Sequence, residues 1–289
     1  PPGADQSLTS VTTLPLQRIT DTHWKLPKGE YKGNYVVDVP IHLECEDGAV
    51  FDAQGTKNAM NIRAPGVVFD GCRLVNWGSN LTEMESGIFL ERTARNAHVI
   101  NNSLYGPGFG IWMDAVRNVR VEHNQVQGYE QLRSADRGNG IHVFATKNCL
   151  INANRVWHVR DGIYIEAADD NDLTNNDLHD LRYGIHYMFS HRSRVTGNRT
   201  TRTRTGYALM QSRQLTVEGN YSDHDDNYGI LLNYLTYSTV RNNHVTAVQS
   251  GVGDAEGHIA GAEGKGLFIF NSLFNVISDN SFGNSAMGV

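Results

Sequence analysis

The sequence lacks long apolar runs and any excess of positive charge. None of its apolar runs approaches the ~20 residues that a membrane-spanning helix needs, and its formal net charge is −6. Arginines and acidic residues are interspersed along the chain, so no basic stripe marks a nucleic-acid partner. We therefore expect a chain that does not itself span a membrane and does not bind nucleic acid.

Cysteine is also scarce. Three cysteines, Cys45, Cys72 and Cys149, are too few for a disulfide scaffold and lack the C-x-x-C spacing of a structural zinc site. If GAVFDAQ (48–54) stacks on GVVFDGC (66–72), the first cysteine does not face the second. This alignment predicts three buried or half-buried thiols and no disulfide.

What the sequence has in abundance is a repeat of about 22 residues. The repeats begin at Gly87, Gly110, Gly140, Gly162, Gly184, Gly206, Gly229, Gly266 and Gly288. Fourteen residues after each of the first eight glycines stands an asparagine: Asn101, Asn124, Asn154, Asn176, Asn198, Asn220, Asn243 and Asn280. Two longer intervals mark insertions near 131–139 and 248–265.

The repeat indicates stacked strands. Its segments are short, rich in Val, Ile and Phe, and separated by Gly, Pro and Asp, whereas the 3.6-residue period of helical solenoids is absent. An asparagine at the same bend of every turn can hydrogen-bond the turns on either side, and the glycine serves a second bend or a close backbone approach. We predict an all-β fold, a right-handed parallel β-helix over 35–289 with an N-terminal cap over 1–34. Because Val289 lies one residue into a new repeat, we expect the array to continue beyond it.

Alternation within each repeat predicts which side chains face outward. The first and third residues after each glycine are mostly apolar and should fill the interior, so the second and fourth point out. The second positions are Phe89, Trp112, His142, Tyr164, His186, Ala208, Leu231 and Phe268, which we call the outward column. The fourth positions are Glu91, Asp114, Phe144, Glu166, Met188, Met210, Asn233 and Phe270. An exposed strip of this composition indicates a binding surface.

One hypothesis for this surface is a carbohydrate site. The candidate stacking platforms are Phe89, Trp112 and Tyr164, and the candidate acid and base are among Glu91, Asp114 and Glu166. Phe144 interrupts the carboxylate series, and acidic residues on a sheet face are usually only solvated. The DHDD cluster at 223–226 has the chemistry of a hard-cation site, but we interpret it as a solvated turn.

A second hypothesis is a Cu(I) site, because thioethers and imidazoles favour that ion. The candidate ligands are His186, Met188, Met210, His142 and His191, and the repeat places Met188 beside Met210. The alternative is that both methionines pack against a partner protein.

A third hypothesis is a docking surface without chemistry. Aromatic anchors such as Trp112 and Phe268 would then bind a partner protein. This hypothesis is compatible with the second if a metal passes between the partners.

The run YGIHYMFSHRSRVTGNRTTRTRTGYALMQSRQLTVEGNYSDHDDNYGILLNYLTYSTVRNNHV resembles the NosD family, whose members are periplasmic β-helical proteins required to mature nitrous-oxide reductase. The opening LPKGEYKGNYVVDVPIHLECEDGAVFDAQG is also similar, and the resemblance covers roughly residues 12–289. It implies a periplasmic protein, not an enzyme, that works with an ABC transporter permease and ATPase and with a copper chaperone to supply copper to nitrous-oxide reductase. It gives no ligands, so the copper residues rest on the pattern alone.

Mannuronan epimerases are also parallel β-helices, and their active-site motif resembles Tyr-Gly-(Phe/Ile)-Asp-Pro-His. The comparable string here, YGIHYM at 183–188, replaces the Asp-Pro-His. We therefore predict a copper-handling adaptor, with a polysaccharide lyase or epimerase as the alternative.

Overall fold

The computed structural model describes residues 7–249 and 264–289, which form a parallel β-solenoid with three faces per turn. The prediction of an all-β parallel β-helix with repeats of about 22 residues is confirmed. Within the described ranges the only helical segments are the 3₁₀ turns Val11–Thr13 and Ser134–Asp136, the second of which lies in the first predicted insertion. The second insertion falls largely outside the described residues. No helix in these ranges is long and apolar enough to cross a membrane.

The front face carries the candidate site. Its strands are Thr9–Ser10, Tyr35–Val37, Met60–Ile62, Ser86–Leu90, Phe109–Asp114, Ile141–Phe144, Asp161–Glu166, Asp177–Met188, Arg199–Met210, Tyr228–Asn233 and Lys265–Phe270. The side face comprises Gly29–Lys32, Ala49–Asp52, Arg73–Val75, Ser103–Tyr105, Gln125–Gln127, Arg155–Trp157, Tyr221–Asp223, His244–Thr246 and Ser281–Gly283. The two 12-residue strands, Asp177–Met188 and Arg199–Met210, belong to both faces.

The rear face is a separate sheet. Its strands are Gln17–Arg18, His23–Leu26, His42–Cys45, Val68–Asp70, His98–Ile100, Arg120–Glu122, Leu150–Asn152, Asp172–Thr174, His191–Thr196, Arg213–Glu218, Thr239–Arg241 and Val276–Ser278. Gln17–Arg18 is antiparallel to His23–Leu26, and parallel pairing begins where His23–Leu26 meets His42–Cys45. Parallel stacking thus starts inside the segment that the sequence assigns to the cap.

The interior columns are filled as predicted except at Ile269, a third-position residue of the last described turns, which is 40% exposed. The first-position residues Ile88, Ile111, Ile141, Ile163, Ile185, Tyr207 and Ile230 are successive register partners and are fully buried. Burying one such side chain contributes roughly 1.5–3 kcal/mol. The repeat glycines allow close approach of the backbone, since a Cβ on Gly110 would lie 2.4 Å from the carbonyl oxygen of Gly140.

The asparagine ladder is present, with one correction. In its centre, the Asn154 backbone N–H and Nδ2 both donate to Asn176 Oδ1, at 3.0 and 3.1 Å, and Asn176 Nδ2 donates to the Ile151 carbonyl at 3.0 Å. The first member is the buried Asn102 and not Asn101, which is exposed. Val99 lies eleven positions after Ile88, whereas their register partners Val121 and Ile111 are ten positions apart. The ladder asparagine of this turn therefore stands one position later.

The prediction of no disulfide is wrong, because Cys45 and Cys72 are bonded, with Cα atoms 4.9 Å apart. The segments that look alike do not stack on each other. His42–Cys45 pairs with Val68–Asp70, which brings the two cysteines to the same bend. Cys149 is free and buried, and burial raises the pKa of its thiol to about 11.

Candidate functional site

The outward column exists as the sequence predicts. Phe89, Trp112, His142, Tyr164, His186, Ala208, Leu231 and Phe268 are successive register partners. Parallel neighbours of this kind lie about 4.8 Å apart, and the rings from Phe89 to His186 contact one another in series.

The expectation that this column is exposed is wrong for six of its eight members, which are buried. Phe89 and Trp112 are only 9% and 6% exposed. Leu81, Met84 and Phe109 pack against these two rings, and a stack at this spacing also covers its own faces. Tyr164 and Phe268, further along the column, are half-buried. Flat rings open to a sugar are therefore not available at the start of the column.

The carboxylates proposed as acid and base are half-buried and are held by neighbours. Glu91 forms an ion pair with Arg63 at 3.0 Å, Asp114 Oδ1 accepts from an indole N–H of its own strand at 3.4 Å, and Glu166 contacts His142 Nε2 at 3.3 Å. The hydrogen bond from His142 lowers the pKa of Glu166, against the effect of burial. A general acid needs a raised pKa at neutral pH, so this site does not favour that role.

His142 uses both of its ring nitrogens. Nδ1 lies 3.2 Å from Asn139 Nδ2 and Nε2 lies 3.3 Å from the carboxylate of Glu166. The ring stacks between Trp112 and Tyr164, with centroids at 4.0 and 4.8 Å. Burial lowers the pKa of this imidazole, although Glu166 opposes the shift. As placed, His142 has no ring nitrogen left for a metal.

His186 differs, because only one of its nitrogens has a partner. Nδ1 lies 3.1 Å from Asp161 Oδ2, whereas Nε2 is buried and meets no hydrogen-bond partner among the residues that the structure describes. An ionised carboxylate can only accept, so Nδ1 donates to it, and Nε2 carries a lone pair whenever the ring is neutral. Tyr164 and Tyr183 pack edge-to-face against the ring, with centroids at 4.5 and 5.1 Å.

Asp161 is fully buried and is neutralised by an arginine. Arg182 donates to it through Nε and Nη2 at 2.9 and 2.8 Å. Burial alone would raise the pKa of Asp161, but the hydrogen bonds from His186 and Arg182 and the charge of Arg182 hold it well below its usual range.

Two thioethers lie beside this histidine, as the repeat predicts. Met188 and Met210 are register partners on adjacent strands, and both are half-buried. The side chain next to His186 in the outward column is Ala208, the smallest of the eight. The face therefore combines an unpartnered imidazole nitrogen, two neighbouring thioethers and a small neighbouring side chain.

A family model described as "Periplasmic copper-binding protein (NosD)" matches residues 122–289, more than half of the chain. The chain belongs to the NosD family. A Pseudomonas aeruginosa protein named "Probable ABC transporter binding protein NosD" is 53% identical over 280 residues, which cover 96% of this chain and 65% of that protein. A Stutzerimonas stutzeri protein of the same name is 49% identical over 280 residues, covering 97% and 64%. The chain thus spans just under two thirds of the length of these NosD relatives.

Solved structures with the same fold have other activities. The Streptococcus pneumoniae surface adhesin PfbA superposes with a TM-score of 0.69 at 11% identity, covering 92% of this chain and 90% of PfbA. A Yersinia enterocolitica family 28 exopolygalacturonase gives a TM-score of 0.69 at 11% identity, covering 97% and 76%. At identities this low, the similarity to the NosD-family chain shows a shared fold alone.

His191 lies apart from the other candidate ligands. It begins the rear strand His191–Thr196, beyond the bend that follows Met188, and its Nδ1 accepts the backbone N–H of Arg213 at 3.2 Å. It lines an open depression of about 380 Å³ together with Gln211, Ser212, Arg213, Tyr234 and Thr236. In residues 7–249 and 264–289, no group of three or more His, Cys, Asp or Glu could hold a metal.

The interpretation of the DHDD cluster at 223–226 as a solvated turn is wrong for one member. Asp225 is fully buried, and its carboxyl oxygens lie 2.5 Å from the hydroxyls of Thr203 and Ser222. It fills an interior corner of the solenoid instead of facing water.

Sequence reasoning missed an aromatic corner beside the methionines. Phe189, Tyr234, Tyr237 and Phe274 are 50–70% exposed and occupy bends with positive φ. Bulky residues are rare in that conformation, and the same bend holds alanine in several earlier turns, such as Ala145. Large aromatic residues at bend positions that carry alanine or asparagine in other repeats are the signal that could have found this corner.

Proposed function

We propose that this chain is a periplasmic copper-handling adaptor that works with an ABC transporter and a copper chaperone to assemble the copper centre of nitrous-oxide reductase. The copper-binding description of the family model and the transporter-binding names of the relatives support this role. Copper is the cargo of such a protein. The protein's task is to bind the ion reversibly and to present it to a partner.

One observation carries the proposal: the unpartnered Nε2 of His186 lies on the same strand as Met188, two residues away, and Met188 pairs with Met210. A buried polar atom without a partner costs about 1–3 kcal/mol, and a ligand at Nε2 would offset that cost. Two thioethers and one neutral imidazole form a ligand set that prefers Cu(I) to Mg²⁺ or Ca²⁺. We propose these three residues as the copper ligands.

The half-buried state of Met188 and Met210 suits a cargo site. A fully enclosed ion could not reach a donor or an acceptor protein, whereas these two side chains retain access to solvent. The exposed aromatic corner begins at Phe189, directly after Met188. A docking partner at that corner would lie next to the bound ion.

The disulfide supports the periplasmic location. Bonds such as Cys45–Cys72 persist in oxidising compartments, which include the bacterial periplasm, and are rare in the cytosol.

The ligand assignment is tested by anaerobic competition between the protein and a Cu(I) chelator. We expect a Met188→Ala/Met210→Ala double variant to lose affinity by on the order of 100-fold, about 2.7 kcal/mol. Met287→Ala, which changes a methionine that is 50% exposed elsewhere, is the matched control and should bind like the wild type. Unchanged affinity in the double variant would remove these two residues as ligands.

The enzyme alternative has its own test. We expect no turnover of alginate, pectate or chondroitin by this chain. Cleavage or epimerisation that disappears in Glu166→Gln would establish the carbohydrate hypothesis and displace the adaptor role.

A further inference from the structure

The ion pair between Arg182 and the buried Asp161 adjoins the proposed copper ligands, and neither residue is itself a proposed ligand. We propose that Asp161, held by Arg182, is a positioning residue that fixes the imidazole of His186 with its proton on Nδ1 and so presents the Nε2 lone pair to Cu(I). This inference rests on the proposed function and adds to it the residue that prepares the ligand.

The hydrogen bonds around Asp161 leave its carboxylate one orientation. Oδ1 accepts from Arg182 Nε at 2.9 Å and from the Tyr183 backbone N–H at 3.3 Å, and Oδ2 accepts from Arg182 Nη2 at 2.8 Å and from His186 Nδ1 at 3.1 Å. A carboxylate has about four acceptor sites, and all four are used here. The carboxylate cannot rotate away from His186 without breaking its hydrogen bonds to Arg182.

The imidazole is equally constrained. Tyr164 on the preceding turn and Tyr183 on the same strand contact it edge-to-face. A ring flip would carry Nδ1 away from Asp161 and leave a buried carboxylate oxygen without that partner. Metal-binding histidines almost always donate their second ring N–H to a carboxylate, a carbonyl or water, which fixes the tautomer. Asp161 supplies that carboxylate.

A second Arg–Asp–His set lies on the side face and differs from the first in the second nitrogen of its histidine. Arg202 Nε and Nη2 each donate to Asp180 at 2.9 Å, and His179 Nδ1 contacts Asp180 at 2.6 Å. There the other nitrogen is occupied, because Arg155 Nε donates to His179 Nε2 at 3.3 Å. At His186 the corresponding nitrogen has no protein partner in the described chain. This difference favours a ligand at His186.

The first test uses the metal-free protein and nitrogen NMR of the histidine rings. We expect His186 to be in the Nδ1–H tautomer in the wild type and to lose that preference in Asp161→Asn, since an asparagine amide can donate to Nδ1. A wild-type ring with its proton on Nε2 overturns the positioning role.

The second test is Cu(I) competition on the same variants. We expect Asp161→Asn to lower affinity by roughly 10–100-fold, the usual effect of removing a partner of a metal-binding histidine. Asp180→Asn, the matched control on the side face, should bind Cu(I) like the wild type. Wild-type affinity in a folded Asp161→Asn variant overturns the inference.

Asp161→Asn leaves Arg182 buried without its carboxylate, and this variant could fail to fold. The Asp161→Asn/Arg182→Met double variant removes both charges and answers the same question, with folding checked by circular dichroism. If the wild type binds no Cu(I), the proposed function fails, while the tautomer of metal-free His186 still decides whether Asp161 positions the ring.

Discussion

His142 and His186 occupy the same outward column, two turns apart, and each is only 6% exposed. His142 is stacked between two aromatic rings, and both of its nitrogens have partners. His186 has one partnered nitrogen and a small alanine as its next neighbour. Residue type, burial and position in the repeat do not distinguish these two histidines. The number of hydrogen-bonded ring nitrogens does.

The two ends of the front face also carry different side chains. Towards the N-terminus, Phe89, Phe109 and Trp112 form a closed aromatic cluster. From His186 onward the column carries Ala208, and the half-buried Met188 and Met210 lie beside it. Ala208 and Leu231 are as buried as that cluster, so this end is distinguished by its two half-buried thioethers, which we propose as ligands for a soft metal ion.

The strongest test of the difference between His142 and His186 is to replace each histidine in turn. We expect His186→Leu to lower Cu(I) affinity by on the order of 100-fold, about 2.7 kcal/mol, because it removes a proposed ligand. His142→Leu should bind Cu(I) within about twofold of the wild type, since its nitrogens serve Asn139 and Glu166. Chelator competition on both folded variants measures the difference, and equal losses would contradict the distinction.

A second comparison concerns two fully buried carboxyl groups, those of Asp225 and Asp161. Burial, reinforced by Asp223 and Asp226, raises the pKa of Asp225 to about 8, although hydrogen bonds to Ser222 and Thr203 oppose the shift. A raised folded-state pKa means that the stability contributed by this group is complete below the unfolded pKa of about 3.9 and is lost as pH rises towards 8.

We therefore expect Asp225 to lower the free energy of unfolding by up to about 1.4 kcal/mol per pH unit between pH 5 and 8. Asp225→Asn should flatten that slope, which urea unfolding at several pH values measures. Asp161, whose pKa is lowered by His186 and Arg182, adds no slope in this range because it is ionised in both the folded and unfolded states. Parallel pH profiles for wild type and Asp225→Asn would contradict the assignment.

The smallest expected effect concerns the ladder that both ends of the front face share. Asn102→Ala should cost about 1–3 kcal/mol, because it leaves buried backbone groups without the amide that serves them. Asn101→Gly removes an exposed side chain while tolerating the positive φ there, and it should change stability by less than about 0.5 kcal/mol. Thermal or urea unfolding measures both. A larger loss of stability in Asn101→Gly than in Asn102→Ala would mean that Asn101 is the ladder residue, as the repeat spacing predicted.

Much of the fold could be predicted because a parallel solenoid places equivalent positions on top of one another. The glycine spacing, the asparagine ladder and the apolar alternation each repeat often enough to reveal the turn length and the inward face. The pairing of Met188 with Met210 follows from that register and is confirmed. The Cys45–Cys72 disulfide could not be predicted, because the early turns contain no repeat clear enough to fix their stacking.

The site was predicted only in outline. The role of Asp161 could not be predicted, because the position before the repeat glycine shows no pattern. In other turns it carries Ser86, Phe109, Asn139 and Tyr183. The burial of Phe89 and Trp112 could not be predicted from the repeat alone, because two of the residues that cover them, Leu81 and Met84, lie in a loop outside it.

The sequence by itself determined the solenoid, its outward column and the adjacency of a histidine and two methionines, because these depend only on the repeat period and the two-residue alternation of a strand. Only the tertiary structure decided which histidine has an unpartnered nitrogen. That property depends mainly on Glu166 and Asp161, which are 24 and 25 residues away along the chain and contact the two rings only after the turns have stacked.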